Sequence, residues 1–406
     1  MRGLLVLVGL LNVTFGSIQA QWQIENSTTT ADLRGIDNVG GGIAWASGTN
    51  GTVLRTEDGG YLWQPCTVPP GAEHLDFRGI QAFDANTAIV MSSGKGDLSR
   101  LYKTTDGCQT WKLVFTNPDK DGFWDAVVAR AVAAEPGNVC DAGAKLILGT
   151  ILGDPAVHKS NQKDTTTLAS FYLANFYAGI NCPVDKLFPS ASSIFALPGE
   201  TAFAASNSVL ARLEPSSVYW MGVGRRLIQY SVGSTVPGHF FAESFCDIGI
   251  PFSHRSASAG VFSLAIKPGS AGPPKPTKIG GFDWKKPSCQ KADMVVVGGD
   301  YAAIDDAQDT AAFTGGSSKF QLAQTSPHGY RSSVAYDAAT KTWITVGPNG
   351  TDISIDDGRN WRAVHPDAAL HEEPDADRNW NALSLPFVVG PHGRIGKLDA
   401  QALAKH

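Results

Sequence analysis

One eight-residue pattern occurs three times in this chain, and its recurrence limits what the chain can fold into. Residues 56–63 read Thr56-Glu57-Asp58-Gly59-Gly60-Tyr61-Leu62-Trp63. Residues 104–111 read Thr104-Thr105-Asp106-Gly107-Cys108-Gln109-Thr110-Trp111, and residues 354–361 read Ser354-Ile355-Asp356-Asp357-Gly358-Arg359-Asn360-Trp361. The common frame is Ser/Thr-x-Asp-x-Gly-x-x-Trp, with Cys108 in the glycine slot of the second copy. Asp-x-Gly is turn chemistry: the carboxylate accepts N–H groups of its own loop, and glycine supplies a positive φ. The Trp opens the next strand with a large apolar face to bury between sheets. Asp58, Asp106 and Asp356 with Trp63, Trp111 and Trp361 therefore read as scaffold residues of hairpins. A catalytic or calcium-binding Asp is the functional alternative, but a motif repeated round a scaffold usually holds the scaffold up.

The surrounding sequence repeats a longer grammar. Leu33-Arg34-Gly35-Ile36, Gly42–Ala46 and Thr52–Arg55 precede the first copy. Phe77-Arg78-Gly79-Ile80, Thr87–Met91 and Leu101–Lys103 precede the second. Each unit has three short strands, a hairpin and a fourth strand, which is the grammar of a propeller blade. Seven such units are traceable. The third starts near Phe123 and has lost the frame over Ser160–Thr167. The fourth spans about Ser193 to Val232, and the fifth has Thr314-Gly315-Gly316 ahead of Phe320 in place of the frame. The sixth is regular, and the seventh stops at Arg394–Leu398 without an outer strand. Trp22–Glu25 is expected to supply that strand and remove an exposed edge. The expectation is an all-β, seven-bladed β-propeller spanning 21–406 as one domain, which overrides the two or three domains that a length of 406 residues would suggest. Pro268–Pro287 and Pro366–Arg378 read as surface loops.

Residues 1–20 read as an export signal: Arg2 is the charged n-region, Leu4–Leu11 the apolar core, and Ile18-Gln19-Ala20 the cleavage site. The apolar run is too short for a comfortable membrane span. A secreted or periplasmic protein is expected, and the cysteines agree. Cys66 and Cys108, Cys140 and Cys182, and Cys246 and Cys289 are each about one blade apart, so sequential pairing is expected. Six cysteines nonetheless permit fifteen connectivities, and buried free thiols are the alternative. A net charge of −5 gives no reason to expect nucleic acid or an anionic membrane as partner. The chain has no dinucleotide or phosphate-loop motif and no metal-ligand spacing of its histidines, so neither cofactor nor metal is expected.

The most suggestive chemistry is a recurring arginine. Arg34, Arg78 and Arg331 occupy similar slots at the start of the expected inner strands of blades one, two and six. There they can face one end of the central channel and pair with planar anions. The bland alternative is a structural bridge to an acid such as Asp37 or Asp76. Trp124, Tyr330 and Trp380 fall near the same end and are candidates to line a pocket for a peptide or sugar, although such residues are more often core. Gly153-Asp154-Pro155 reads as a turn that can border the mouth. The run His371–Asp377 reads as a solvated acidic loop rather than a cation site.

The frame resembles the Asp-box, or BNR repeat, of sialidases and other Asp-box propellers, in which the boxes lie away from the active site. Taken with Leu33–Asp37, Gly48–Gly60, Val346–Gly350 and Val389–Ile395, the chain resembles the photosystem II stability and assembly factor family. That resemblance implies a seven-bladed propeller that binds other proteins during assembly, with an arginine patch to which Arg34, Arg78 and Arg331 correspond. Blades three to five depart from the family pattern, and nothing in the sequence points to photosynthesis. A monomeric binding or assembly scaffold for a protein, peptide or carbohydrate, with no catalytic residues, is therefore expected. The rival is a sialidase-like glycoside hydrolase in which three arginines clamp a carboxylate and Tyr330 is the nucleophile. Against it, the Phe/Tyr-Arg-Ile-Pro motif is only approximated by Phe77-Arg78-Gly79-Ile80, and no carboxylate pair stands out.

Overall fold

The computed structural model describes residues 22–134, 140–141, 143–156, 169–190, 194–214, 218–232, 243–272, 289–366, 368 and 372–398. Its strands form seven small antiparallel sheets, the blades of a seven-bladed β-propeller. The chain enters with β1 (Trp22–Glu25). Blade one is β2 (Leu33–Gly40), β3 (Ile43–Gly48), β4 (Val53–Thr56) and β5 (Gln64–Pro65). Blade two is β6 (Phe77–Ala82), β7 (Ala88–Ser92), β8 (Arg100–Thr104) and β9 (Lys112–Thr116). Blade three is β10 (Trp124–Ala133), β11 (Lys145–Ala156), β12 (Ser170–Gly179) and β13 (Asp185–Pro189), with a short β14 (Ile194–Phe195) also paired to β12. Blade four is β15 (Leu210–Leu213), β16 (Val218–Val223), β17 (Arg226–Val232) and β18 (Glu243–Gly249). Blade five is β19 (Ala259–Ile266), β20 (Met294–Asp300), β21 (Ala311–Phe313) and β22 (Gln321–Leu322). Blade six is β23 (Ser333–Asp337), β24 (Thr342–Gly347), β25 (Gly350–Ser354) and β26 (Arg362–Val364). Blade seven is β27 (Ala382–Ser384), β28 (Phe387–Val389) and β29 (Ile395–Leu398), and β1 completes it by pairing Trp22 with Leu398 and Glu25 with Ile395.

The fourth unit is therefore displaced from its sequence-based bounds. Blade three keeps Ile194–Phe195, and blade four starts at Leu210 and ends at Gly249. The expected export signal over residues 1–20 and the lost frame at Ser160–Thr167 lie outside the described residues, as do residues 273–287 of the first long insertion.

Blades are held together by apolar side chains that interleave between neighbouring sheets. Trp45 and Val53 of blade one pack with Phe77, Val90 and Tyr102 of blade two. Leu33, Leu54 and Trp63 pack with Phe387 and Ile395 of blade seven. Each fully buried side chain of this size contributes about 1.5–3 kcal/mol. The closing strand adds a polar latch, in which the Trp63 indole N–H donates to Glu25 (2.8 Å) and Lys397 donates to the Gly59 carbonyl (2.6 Å).

The three copies of the repeated frame have one geometry. The Thr56 hydroxyl meets the Asp58 carboxylate at 2.8 Å and accepts the Gly60 N–H at 3.0 Å, while Asp58 accepts the Leu62 N–H at 3.0 Å. Thr104 and Asp106 do the same for Cys108 and Thr110, and Ser354 and Asp356 for Gly358 and Asn360. The Leu62 N–H and the Thr56 hydroxyl hold the Asp58 carboxyl below its usual range. Trp63, Trp111 and Trp361 are buried. These aspartates thus satisfy their own loops. Cys108 stands at φ 62°, a conformation that favours glycine, and is tied by its disulfide to Cys66 on the preceding blade. Cys140–Cys182 and Cys246–Cys289 are the other two disulfides, so the cysteines pair in sequence order.

Candidate binding site at the mouth of the ring

At the end of the ring where inner strands begin, the structure holds a cavity of about 470 Å³. Its side chains are set there by a recurrent irregularity. The register slips between Leu33 and Gly35, between Phe77 and Gly79, between Trp124 and Ala126, and between Val261 and Ser263. The extra residue in each case is Arg34, Arg78, Asp125 or Phe262, and all four line the cavity. A bulge adds one residue and re-aims its side chain, so four inner strands turn one side chain each toward the mouth. A further bulge in β11, between Gly153 and Pro155, delivers Asp154 to the same wall. The Gly153-Asp154-Pro155 segment is thus a strand irregularity and not a turn.

The two arginines are already shared. Arg78 Nε donates to Asp76 Oδ2 at 2.8 Å, and Arg78 Nη1 donates to the Ala204 carbonyl at 3.0 Å. Arg34 Nε lies 3.2 Å from Asp76 Oδ1 in an ion pair outside hydrogen-bond alignment. Asp76 therefore bridges both guanidinium groups. Asp37 does not pair with Arg34; its carboxylate accepts the Ala82 N–H at 2.7 Å.

The acids are less well served. Asp125 is 1% exposed, and its Oδ2 has no hydrogen-bond partner. Burial pushes its carboxyl well above the usual range; repulsion from Asp154 adds to this, and Arg78 and the Asp154 N–H work against it. Asp154 is also raised by burial, although it accepts from the Thr201 hydroxyl and, at 3.1 Å, from the Ala202 N–H. The opposite wall is aromatic. Phe203 stacks on Phe262 with ring centroids 4.0 Å apart, and Tyr330 and Tyr301 stand edge-on to Phe262 at 4.7 and 6.0 Å. Tyr301 is more than half exposed at the rim.

The cavity has a floor because the segment entering blade four lies across the channel. Arg78 of blade two holds Ala204. Asn207 clamps Val127 of blade three, accepting its N–H and donating to its carbonyl, both at 2.8 Å. The Ser206 hydroxyl donates to the Ser332 carbonyl at 2.7 Å, and Ser208 meets Ser263 of blade five at 2.7 Å. Asn207 takes φ 63°, which asparagine tolerates. A Cβ on Gly79 would sit 2.9 Å from Asn207 Oδ1, so a glycine there lets this segment come close.

Of the sequence-predicted set, Arg34, Arg78 and Tyr330 come together at the mouth, and Arg331, Trp124 and Trp380 do not. Arg331 is wholly buried; its Nε donates to Asp352 at 2.8 Å, its Nη2 also meets Asp352, and Nη1 donates to the Tyr330 carbonyl at 2.7 Å. His328 faces the other Asp352 oxygen at 2.9 Å. Burial alone would raise the Asp352 carboxyl, but the His328 hydrogen bond and the Arg331 charge outweigh it and hold it low. Trp124 is fully buried against Tyr172, and Trp380 is fully buried beside Trp22, with its indole N–H donating to the Ala376 carbonyl. Both are core because their rings lie in the gaps between sheets, while the charged neighbour of Trp124 takes the mouth. Tyr330 is nearly buried, and burial raises its phenol, which disfavours the phenolate a nucleophile needs. In the acidic run, Asp375 pairs with Arg394 and Asp377 with Arg378. His371 lies outside the described residues. Among the described residues, no cluster of three or more His, Cys, Asp or Glu side chains is placed to hold a metal.

Sequence reasoning missed Asp125 and found no carboxylate pair, yet the fold brings Asp125 and Asp154 to one wall. A larger depression of about 690 Å³ lies between residues 24–30 and the 391–394 turn of blade seven. Its acids are engaged, Glu25 by Trp63 and Asp375 by Arg394, so it offers less for recognition.

No protein-family model matches the chain, and no curated protein matches it. Among solved structures, it is similar to YCF48 bound to D1 peptide, with 16% identity over 93% of this chain and 96% of that one and a TM-score of 0.49. YCF48 from Cyanidioschyzon merolae has 16% identity over 94% of this chain and 100% of that one, with a TM-score of 0.47. The GH74 xyloglucanase from Xanthomonas campestris has 12% identity over 94% of this chain and 54% of that one, with a TM-score of 0.47. At such identities the likeness is one of architecture, and no residue's role is carried across it.

Proposed function

We propose that this protein is an extracytoplasmic Asp-box propeller that serves as a binding scaffold for a protein partner, taking an extended segment or chain end at the mouth formed by Arg34, Arg78 and the aromatic wall. The observation that carries this reading is the floored cavity itself. Bulges on four inner strands direct charged and aromatic side chains into a space that admits a few residues of a peptide. Three disulfides fit an oxidising compartment. Among the described residues, no helix is long and apolar enough to cross a membrane.

The test is selection of peptides from a random displayed library, followed by calorimetric titration. Selected peptides are expected to lose about tenfold in affinity, or about 1.4 kcal/mol, on Tyr301→Ala, a rim substitution outside the core. Failure to select any peptide, or binding indifferent to Tyr301→Ala and Arg78→Gln, overturns this reading.

One observation favours a second reading, a glycoside hydrolase. Asp125 and Asp154 form the carboxyl pair the sequence did not reveal; burial raises both, and Asp125, the more displaced, has the character of a general acid. Turnover of aryl glycosides that disappears with Asp125→Asn would establish it.

A further inference from the structure

The mouth is not a simple trap for anions. Arg34 and Arg78 are neutralised in part by Asp76, which touches both. With Asp125 and Asp154 the immediate group has two positive and three negative members. Asp125 has an unserved oxygen: it is buried, its Oδ2 accepts nothing, and Arg78 turns its Nε to Asp76 and its Nη1 to Ala204 instead. A buried polar atom with no partner is costly, and a ligand group that supplies the missing donor recovers that cost on binding. Across the cavity stand the faces and edges of Phe203, Phe262 and Tyr301. Carboxylates facing aromatic rings are the surroundings in which a protonated amine is recognised, by charge on one side and by the ring quadrupoles on the other.

We propose that the mouth takes an alkylammonium group, seated on Asp125 with Asp154 beside it and packed against the Phe262 and Tyr301 rings. This rests on the mouth being the binding site, and it specifies what the occupant must carry. The amine comes from a lysine side chain or from the free N-terminus of a chain, and the two sources are separable by experiment. The groups that bear on the titration of Asp125 are Asp154 on β11, Arg78 on β6 and, beyond them, Arg34, Asp76, Tyr301 and Tyr330. An ammonium entering this set favours the ionised form of Asp125, so binding releases a proton where the free carboxyl is still protonated. Affinity therefore rises with pH until the amine itself loses its charge.

Two probes test this on the intact protein: Nα-acetyl-lysine N-methylamide, which has only a side-chain amine, and phenylalanine amide, which has only an α-amine. Each is titrated beside its N-acetylated counterpart, in two buffers of different ionisation enthalpy. At least one amine is expected to bind tenfold or more tightly than its acetylated form, with proton release wherever the free carboxyl still holds its proton. Binding of the first probe identifies a lysine side chain as the source, and binding of the second a chain terminus. Asp125→Asn should abolish both the preference and the proton release. The wild-type buffer comparison stands without any variant. Equal binding of amine and acetylated forms, or an amine preference retained in folded Asp125→Asn, overturns the proposal. If library-selected peptides bind equally well with their amines acetylated, the peptide reading survives and this one fails. If the amines bind and no peptide does, the reverse holds.

Discussion

Blades two and six each carry an arginine at the start of the inner strand, one position apart, and the two side chains go to different places. Arg78 faces the mouth, partly exposed and sharing a rim acid with Arg34, whereas Arg331 is sealed inside its blade against Asp352. The cause is a one-residue shift: the Arg331 N–H donates to Gly298 as those of Leu33 and Val261 donate to Gly390 and Gly224, so Arg331 fills the buried slot of Leu33 and Val261, and its partner is one residue on the third strand. Two positions before the repeated frame, blade one has Leu54 and blade two has Tyr102, but blade six has Asp352. A buried carboxylate draws the nearby guanidinium inward, and His328 and Asn349 complete its hydrogen bonds. A likeness of sequence therefore does not assign a role, because a shift of one residue moves a charge from the mouth into the blade, where the opposing strand has to answer it.

The largest expected effect tests that cause. Arg331→Leu or Asp352→Leu alone should cost about 3–5 kcal/mol by leaving a buried charge unpaired, while the double variant should recover most of it. Denaturant unfolding of the three variants measures this, and additive losses would break the comparison. The pair also has a pH signature. Asp352 is held below its usual range, so its contribution is complete above the ordinary aspartate value and is lost as pH falls through the lowered one. Wild type and double variant should therefore converge in acid.

Next in size is Asp125, the blade-three occupant of the Arg78 slot. Its folded carboxyl is raised, so stability is full below the ordinary aspartate value and falls as pH rises through the raised one. Asp125→Asn should accordingly stabilise the protein at neutral pH by on the order of 1 kcal/mol or more, since each unit of displacement is worth about 1.4 kcal/mol. That gain should vanish near pH 3, and thermal unfolding across pH reads it. The smallest effect is Arg78→Leu, expected to change stability by less than about 1 kcal/mol because its ion pair is partly exposed. A loss as large as that of Arg331→Leu would show that both slots are structural.

The frame and its spacing made the propeller and the closing strand Trp22–Glu25 legible from sequence, because a satisfied turn and a buried Trp have fixed residue requirements. Arg34 and Arg78 were legible by slot. Asp125 was within reach too, since Trp124-Asp125-Ala126-Val127 repeats the aromatic, charged, small, branched order of Phe77-Arg78-Gly79-Ile80. It was obscured because the slot carries arginine in blades one and two and a carboxylate in blade three, so the residue type changes while the position is kept. Asp154 was not legible, because its place depends on a bulge in a long strand whose sequence reads as a turn. The segment across the channel was equally hidden, since serine and asparagine between two blades read as ordinary connection.

That segment turns the ring into a cup. A ligand has one doorway, and it leaves by the route it entered. No polypeptide can thread through from face to face, so only a tip, a loop apex or a protruding side chain reaches the charged interior. The repeated hairpins sit at the other end of the ring, outside this cup.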